Sequence, residues 1–459
     1  MNKNWKTFWA FWVLIGGLYS SQTVLGNNIQ ISNVTLAGSM LTFDIGWENS
    51  WRVSATPPYN YDAVWIFVKY RDCALMQWTH ASIDSASAAG ALSADTTADQ
   101  MGVMVFRTAD GVGNVAATSV SLRLTGMPSG NFEFKVFGVE MVHVPQGAFL
   151  LGDGISYYTF RRGNITANPF TISSENAITV ANSGANLYAS GSISTGTIPA
   201  AYPKGYDGFY CMKYEISQAQ YAEFINTLTS AQAAARLFIT TAGRYTLTGA
   251  WPVVATTSGN RAMNYMNYDD FFAYLDWSGL RPMSEMEFEK LSRGPATQVP
   301  GEYAWGTTLI VDANTLANDG TPSETSTTPI PAGSGIANYN NTTIIGPLRC
   351  GFMGSSTTNR LTLGATYFGI CETSGNLRER MVHAANNSGR TFVPNHGNGA
   401  LTPTGLFDVP NWPAVAGTGA RGGGYSDAVA RLRISDRNQS IFGNNSRYAY
   451  MGGRGVRSE

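Results

Sequence analysis

Charge is scarce in this chain. Asp, Glu, Lys and Arg together make up 13% of the 459 residues, about half the share usual in soluble domains. The 30 basic and 31 acidic residues nearly cancel, which excludes the basic field that nucleic acid or an anionic membrane surface requires. Cysteine is equally sparse: Cys73, Cys211, Cys350 and Cys371 are too scattered for a zinc spacing, and none follows Cys371. His80, His143, His383 and His396 show no helical pairing, so no His-liganded metal centre is expected. No Gly-x-Ser-x-Gly elbow occurs, and Gly333-Ser334-Gly335 brings no base that the sequence identifies. Beyond residue 26 no run approaches the roughly 20 apolar residues of a membrane helix.

What is abundant is glycine, 50 residues, and aromatic side chains at 12%, a composition that favours loops and ring packing over charged helices. Residues 1–26 read as a secretory signal. Lys3 and Lys6 precede an apolar stretch from Phe8 to Leu18, and Val24-Leu25-Gly26 offers a cleavage point. The expected localisation is therefore secreted, extracellular or cell-surface, an oxidising compartment. A bridge between Cys350 and Cys371 would close a loop of about 20 residues and contribute roughly 3 kcal/mol. Buried free thiols are the other reading, since a chain of this length needs no staples.

From 27 to 140 the apolar period is two. Leu41, Phe43, Ile45 and Trp47 alternate with polar or small residues, as do Phe132, Phe134 and Val136, while Ala63 to Val68 is apolar on both faces. This predicts an antiparallel, Ig-like β-sandwich. Trp47, Trp51, Trp65 and Trp78 are expected mainly in its core, with a sugar-stacking platform as the alternative. The Ala/Ser/Asp/Thr-rich stretch from Ala81 to Ala98 is expected to be a long surface loop. A second domain, 141–459, opens with a strand, turn and short strand from Val142 to Gly152. A polar loop follows from Ile172 to Thr197. Helices are predicted from Gln218 to Leu228, capped by Ser217, and from Tyr268 to Trp277. A third begins after Ser284, which with Glu287 makes a capping box. After Tyr303 the chain should be mostly loop, pinned by polar contacts or bound ions. The fold class is α+β.

Near the C-terminus, Arg421-Gly422-Gly423-Gly424-Tyr425-Ser426-Asp427 sets three glycines beside a run of Arg and Asp, the composition of a site. Other segments stand in order around it. They are Val144-Pro145-Gln146-Gly147-Ala148-Phe149, Tyr214-Glu215-Ile216-Ser217, Arg281-Pro282-Met283-Ser284-Glu285-Met286-Glu287-Phe288-Glu289 with Arg293-Gly294, Trp305-Gly306, Ser374-Gly375-Asn376-Leu377-Arg378-Glu379 and Gly453-Arg454-Gly455-Val456-Arg457. Together they resemble the formylglycine-generating enzyme (sulfatase-modifying factor) family, which implies a loop-rich C-type-lectin-like fold for 141–459. The pairing with a sandwich resembles secreted proteins of the Bacteroidetes type.

The resemblance implies copper(I) and oxygen chemistry on a cysteine pair shortly after the glycine turn, since soft thiolates select Cu(I). This sequence has Asp427, Val429 and Ile434 in that region, so no copper is expected. It also implies calcium, held by Asn376 and Glu379 with a nearby carbonyl, and at a second place by the turn containing Asn318 and Asp319. Arg378 and Arg380 pairing with Glu379 is the alternative to an ion. The candidate pocket comprises Tyr425, Asp427, Arg431, Arg433, Asp436 and Arg437; it would carry acid-base or anion-binding chemistry, or else a structural salt-bridge network. The expected function is a secreted or cell-surface non-catalytic module, binding a glycan or protein or assembling with itself, with Trp412, Tyr425, Tyr448 and Tyr450 as stacking candidates. An enzyme with altered, non-copper chemistry is the alternative.

Overall fold

The structure, a computed structural model, describes residues 28–72, 77–128, 130–165, 167–354 and 359–459. The expected signal segment and Cys73 lie outside the described residues. Nine strands come first: β1 (Gln30–Ala37), β2 (Met40–Arg52), β3 (Asp62–Asp72), β4 (Trp78–His80), β5 (Ser82–Ala88), β6 (Leu92–Thr96), β7 (Val103–Arg107), β8 (Gly111–Thr125) and β9 (Phe132–Val144). One sheet runs β1-β2-β8-β5. The other runs β6-β7-β3-β9, with β4 on the far end of β3. Leu41, Phe43, Ile45 and Trp47 point from β2 into the space between them, as their alternation requires, and none is more than 1% exposed.

The run from Ala63 to Val68 is apolar on both faces because β3 serves two cores. Val64, Ile66 and Val68 face the sandwich interior. Ala63, Trp65 and Phe67 face the C-terminal half, where Phe67 meets Phe137 and Trp277. Each of the larger of these fully buried side chains contributes roughly 1.5–3 kcal/mol, so the two halves share their stabilisation through one strand. The sheet itself also continues. β10 (Phe209–Met212) pairs antiparallel with β9, and the final strand, Val456–Ser458, adds to β10. At this seam the buried Lys213 ammonium bridges Glu140 (3.0 Å) and Asp62 (3.8 Å).

The helices α1 (Gln218–Asn226), α2 (Ser230–Arg236), α3 (Tyr268–Trp277) and α4 (Glu285–Arg293) pack on or beyond that second face. Each opens with a reciprocal capping box, from Ser217, Thr229, Asn267 and Ser284 respectively. A three-stranded sheet is built from β11 (Arg378–Val382), the antiparallel β12 (Thr418–Arg421) and the parallel pair Met451–Gly452. No helix among the described residues is long and apolar enough to cross a membrane.

Two segments differ from expectation. Ala81 to Ala98 is not a loop but holds β5 and β6. Ala81, Ile83 and Leu92 are buried and Ala86, Ala88 and Ala94 pack against the same core, but most of these are alanines, too small to stand out as an apolar alternation. The polar stretch from Ile172 to Thr197 contains short strands of a small sheet completed by Arg161–Arg162.

Candidate functional site

β12 ends in the glycine turn. Gly422 has φ +83° and Gly423 φ +67°, and a Cβ on Gly422 would lie 2.7 Å from the Thr373 carbonyl, so glycine is required there. The turn swings the following loop back across α4. Arg421 donates to Glu285 (3.1 Å) and Glu289 (2.8 Å), while Arg437 makes a two-point contact with Glu285 (2.7 and 2.9 Å) and lies 3.9 Å over the Phe160 ring. These four side chains are wholly buried. Burial alone would raise the Glu285 pKa; Arg437 and Arg421 together outweigh it and hold the carboxyl below its ordinary value. Arg437 is therefore a structural brace, away from solvent.

Asp427 is the residue nearest the expected chemistry, and it is spoken for. Its carboxylate takes both arms of Arg378 (2.6 and 2.5 Å) and the Gly424 amide (2.9 Å), with Arg431 at 3.9 Å. Arg431 also reaches Asn438, and Asp436 accepts the Asn438 amide (3.0 Å). Arg433 lies away from Asp427, next to Gly301 and Tyr303. Tyr425 is buried among Ala262, Cys350 and Leu377. Val429 is exposed, and Ile434 is packed in a core with Leu432 and Trp305. The cavity bounded by Arg378, Arg421, Asp427, Arg431 and Asp436 measures ≈ 10 Å³, room for one water at most. The six pocket candidates thus divide into a buried brace, a small rim and two outliers.

Copper does not fit this donor set. Among the described residues Cys211, Cys350 and Cys371 are free and buried, and burial raises each thiol's pKa above its ordinary value, away from the thiolate that copper needs. The Cys350–Cys371 bridge is accordingly not formed; Cys350 instead donates to the Glu215 carbonyl.

Calcium does not fit either. Both Glu379 oxygens accept from Arg454 (2.7 Å each), not from Arg378 or Arg380. Asn376 turns its amide on Glu215 and uses its oxygen for Leu348 N (2.7 Å). At the second place, Asp319 is held by Arg244 and Arg261, and the Asn318 amide points to Ser323 O. At each place the carboxylate that an ion would need is already paired with arginine. Adding EDTA or millimolar Ca²⁺ is expected to leave the melting temperature unchanged; a Ca²⁺-dependent rise would refute this arrangement.

Sequence reasoning missed Glu285, Glu289, Glu215, Lys213 and Arg454, although all but Lys213 lie inside the segments that carried the resemblance. Of the stacking candidates, Trp412 belongs to the core beside Phe272, and Tyr448 stacks on Tyr450 at 5.1 Å with Arg378 over the Tyr450 ring. Trp47 and Trp65 are core residues; Trp51 and Trp78 are half-buried.

Burial also sets a pH response. Desolvation lifts Glu140, Glu372 and Asp276 to about 7 and Glu215 well above its ordinary value, while the same effect lowers His80, His143, His383 and His396. Below about pH 6.5 the two sets oppose, because the unfolded state gains histidine protons while the folded state retains carboxyl protons. Just above it the histidines are largely neutral in either state and the raised carboxyls dominate, so the folded chain binds more protons than the unfolded. Nearer pH 8 the lysines lowered by burial, Lys204 and Lys290 to about 8 and Lys69 well below its ordinary value, act the other way. Stability is therefore expected to fall between about pH 6.5 and 7.5. A melting temperature that rises across this range at constant ionic strength would contradict the assignment.

No curated protein matches the chain. Residues 133–459 match the family described as "Sulfatase-modifying factor enzyme 1-like domain", a match that begins inside β9, the strand joining sandwich to C-terminal half. The match takes in both α4 and the glycine turn braced on it, and the chain belongs to the sulfatase-modifying factor enzyme 1-like family.

Proposed function

We propose that the protein is a secreted or cell-surface module that binds a glycan or protein ligand, or further copies of itself, and performs no family oxidation. One observation carries this reading. Where the family chemistry would need a thiol pair, Asp427 is closed onto Arg378 beside a cavity of ≈ 10 Å³, leaving neither nucleophile nor room for substrate. Secretion rests on the sequence of residues 1–26.

The test pairs two measurements on the full chain. A cysteine-containing peptide is incubated with the protein, Cu(I) and oxygen and followed by mass spectrometry; in parallel, labelled protein is applied to a glycan array and sized by light scattering. Binding or self-association without peptide oxidation is the expected result. Turnover that disappears in Asp427→Asn would overturn it in favour of an enzyme with altered chemistry.

A further inference from the structure

A second cavity, ≈ 250 Å³, opens far from the glycine turn, on the face of the shared sheet. Its walls come from both halves of the molecule: Trp78 and His80 of β4, Thr229 and Gln232 at the start of α2, Trp277 at the end of α3, and the 398–401 loop. Lys69 of β3 is at its floor. This lysine is only 1% exposed. Its ammonium donates to the carbonyls of Trp277 (2.8 Å) and Gly399 (2.7 Å), and no carboxylate among the described residues forms an ion pair with it. Asp276, whose charge acts on Lys69, spends its oxygens on the amides of Asn398 (2.8 Å) and Asp408 (3.0 Å).

The two carbonyls answer two of the three N–H groups of a protonated Lys69. With no paired carboxylate, burial lowers its pKa well below the ordinary lysine value, opposed only in part by Asp276. Its charge otherwise meets the Trp277 and Phe67 rings at 5.1 and 5.9 Å, so an anion brought to it would restore the ammonium. The surrounding charges do not supply the missing anion. His80 directs Nε2 to the Met101 carbonyl, and Arg71 and Lys135, which approach the Trp78 ring at 5.0 and 5.4 Å, are paired with Glu133 and Glu223. A carboxylate from outside would complete Lys69. Trp78, half-buried, gives the cavity an aromatic wall, and Thr79 and Thr229 bring hydroxyls to its rim. Aromatic wall, hydroxyl partners and a single buried cation suit an acidic sugar ring, which presents C–H faces, hydroxyls and one carboxylate.

We propose that this interdomain cavity binds a uronic acid residue of an acidic glycan, its carboxylate on Lys69 and its ring against Trp78. The proposal deepens the binding-module reading and rests on it.

Titration calorimetry of the full chain with tri-galacturonate, against neutral maltotriose, tests it. Variants Lys69→Met, which keeps the length of the side chain, and Trp78→Ala, at a half-buried position, are run after circular dichroism confirms their fold. The expected result is saturable binding of tri-galacturonate that weakens with salt and falls about tenfold or more in each folded variant, with maltotriose bound far less well. Wild-type affinity in both variants would overturn this site while leaving the protein a glycan binder. Equal affinity for maltotriose would overturn the role of Lys69. Absence of any tri-galacturonate binding would overturn the proposal alone if the array finds another ligand, and the binding-module reading with it if the array, sizing and peptide assays show only turnover. Should Lys69→Met not fold, Trp78→Ala decides.

Discussion

Replacing Glu285 with Gln is expected to cost about 3–5 kcal/mol of stability, the range for removing one partner from a buried ion network. The carboxylate faces two guanidiniums, Arg421 and Arg437, and also accepts the Ala384 amide (2.8 Å). An amide of the same shape keeps some hydrogen bonding but removes the charge, leaving Arg437 with no other carboxylate within ion-pair distance among the described residues and Arg421 with Glu289 alone. Because Arg437 also holds Ser192 and the Tyr158 carbonyl, the loss reaches the 156–198 region as well as the glycine turn. The control is Glu223→Gln, which breaks the partly exposed pair with Lys135; exposed pairs are worth roughly 0–1 kcal/mol. Urea midpoints for the two variants check the claim. A Glu285→Gln shift no larger than the control's would show that the network is not what fixes the loop to α4.

The local parts of this structure were legible and the non-local parts were not. Period-two alternation in β2 and the Ser217 and Ser284 caps act over a few residues, so they announce their elements directly. β5 and β6 were hidden because small polar residues cover an edge without leaving an apolar stripe. The double-faced character of Ala63 to Val68 was readable as burial, but the partner of its second face lies some two hundred residues later, in α3. The site followed the same division. That the glycines make a turn and that the thiols are missing could be read from residue types alone. That Arg437 is a brace, that Arg378 closes on Asp427 and that Arg454 pairs with Glu379 depend on pairings across 152, 49 and 75 residues, which no spacing rule encodes. Lys69 looks like an ordinary strand lysine until the fold brings the carbonyls of Trp277 and Gly399 over it.

Arg454→Met is the sharper test of what holds the C-terminal half together. The guanidinium donates to both Glu379 oxygens and to the carbonyls of Met212, Lys213 and Cys371, so it links β10, the approach to β11 and the chain's last strand. Its loss leaves Glu379 without its counter-charge, beside Glu215, and is expected to cost about 3–5 kcal/mol. Burial and the removal of Arg454's opposing charge then act in one direction on these carboxyls, already raised in the intact protein, so the variant should hold their protons to higher pH. Its stability deficit should therefore shrink as pH falls from 8 toward 6, because protonated carboxyls need no counter-charge. The vacancy should also change the metal response: Glu215 and Glu379 stand as two neighbouring carboxylates without a counter-charge once the guanidinium is gone, a hard-oxygen pair open to a cation. Millimolar Ca²⁺ is accordingly expected to raise the melting temperature of Arg454→Met and leave the parent unmoved. If Ca²⁺ instead stabilises the parent and does nothing for the variant, Arg454 supports an ion site and does not replace one.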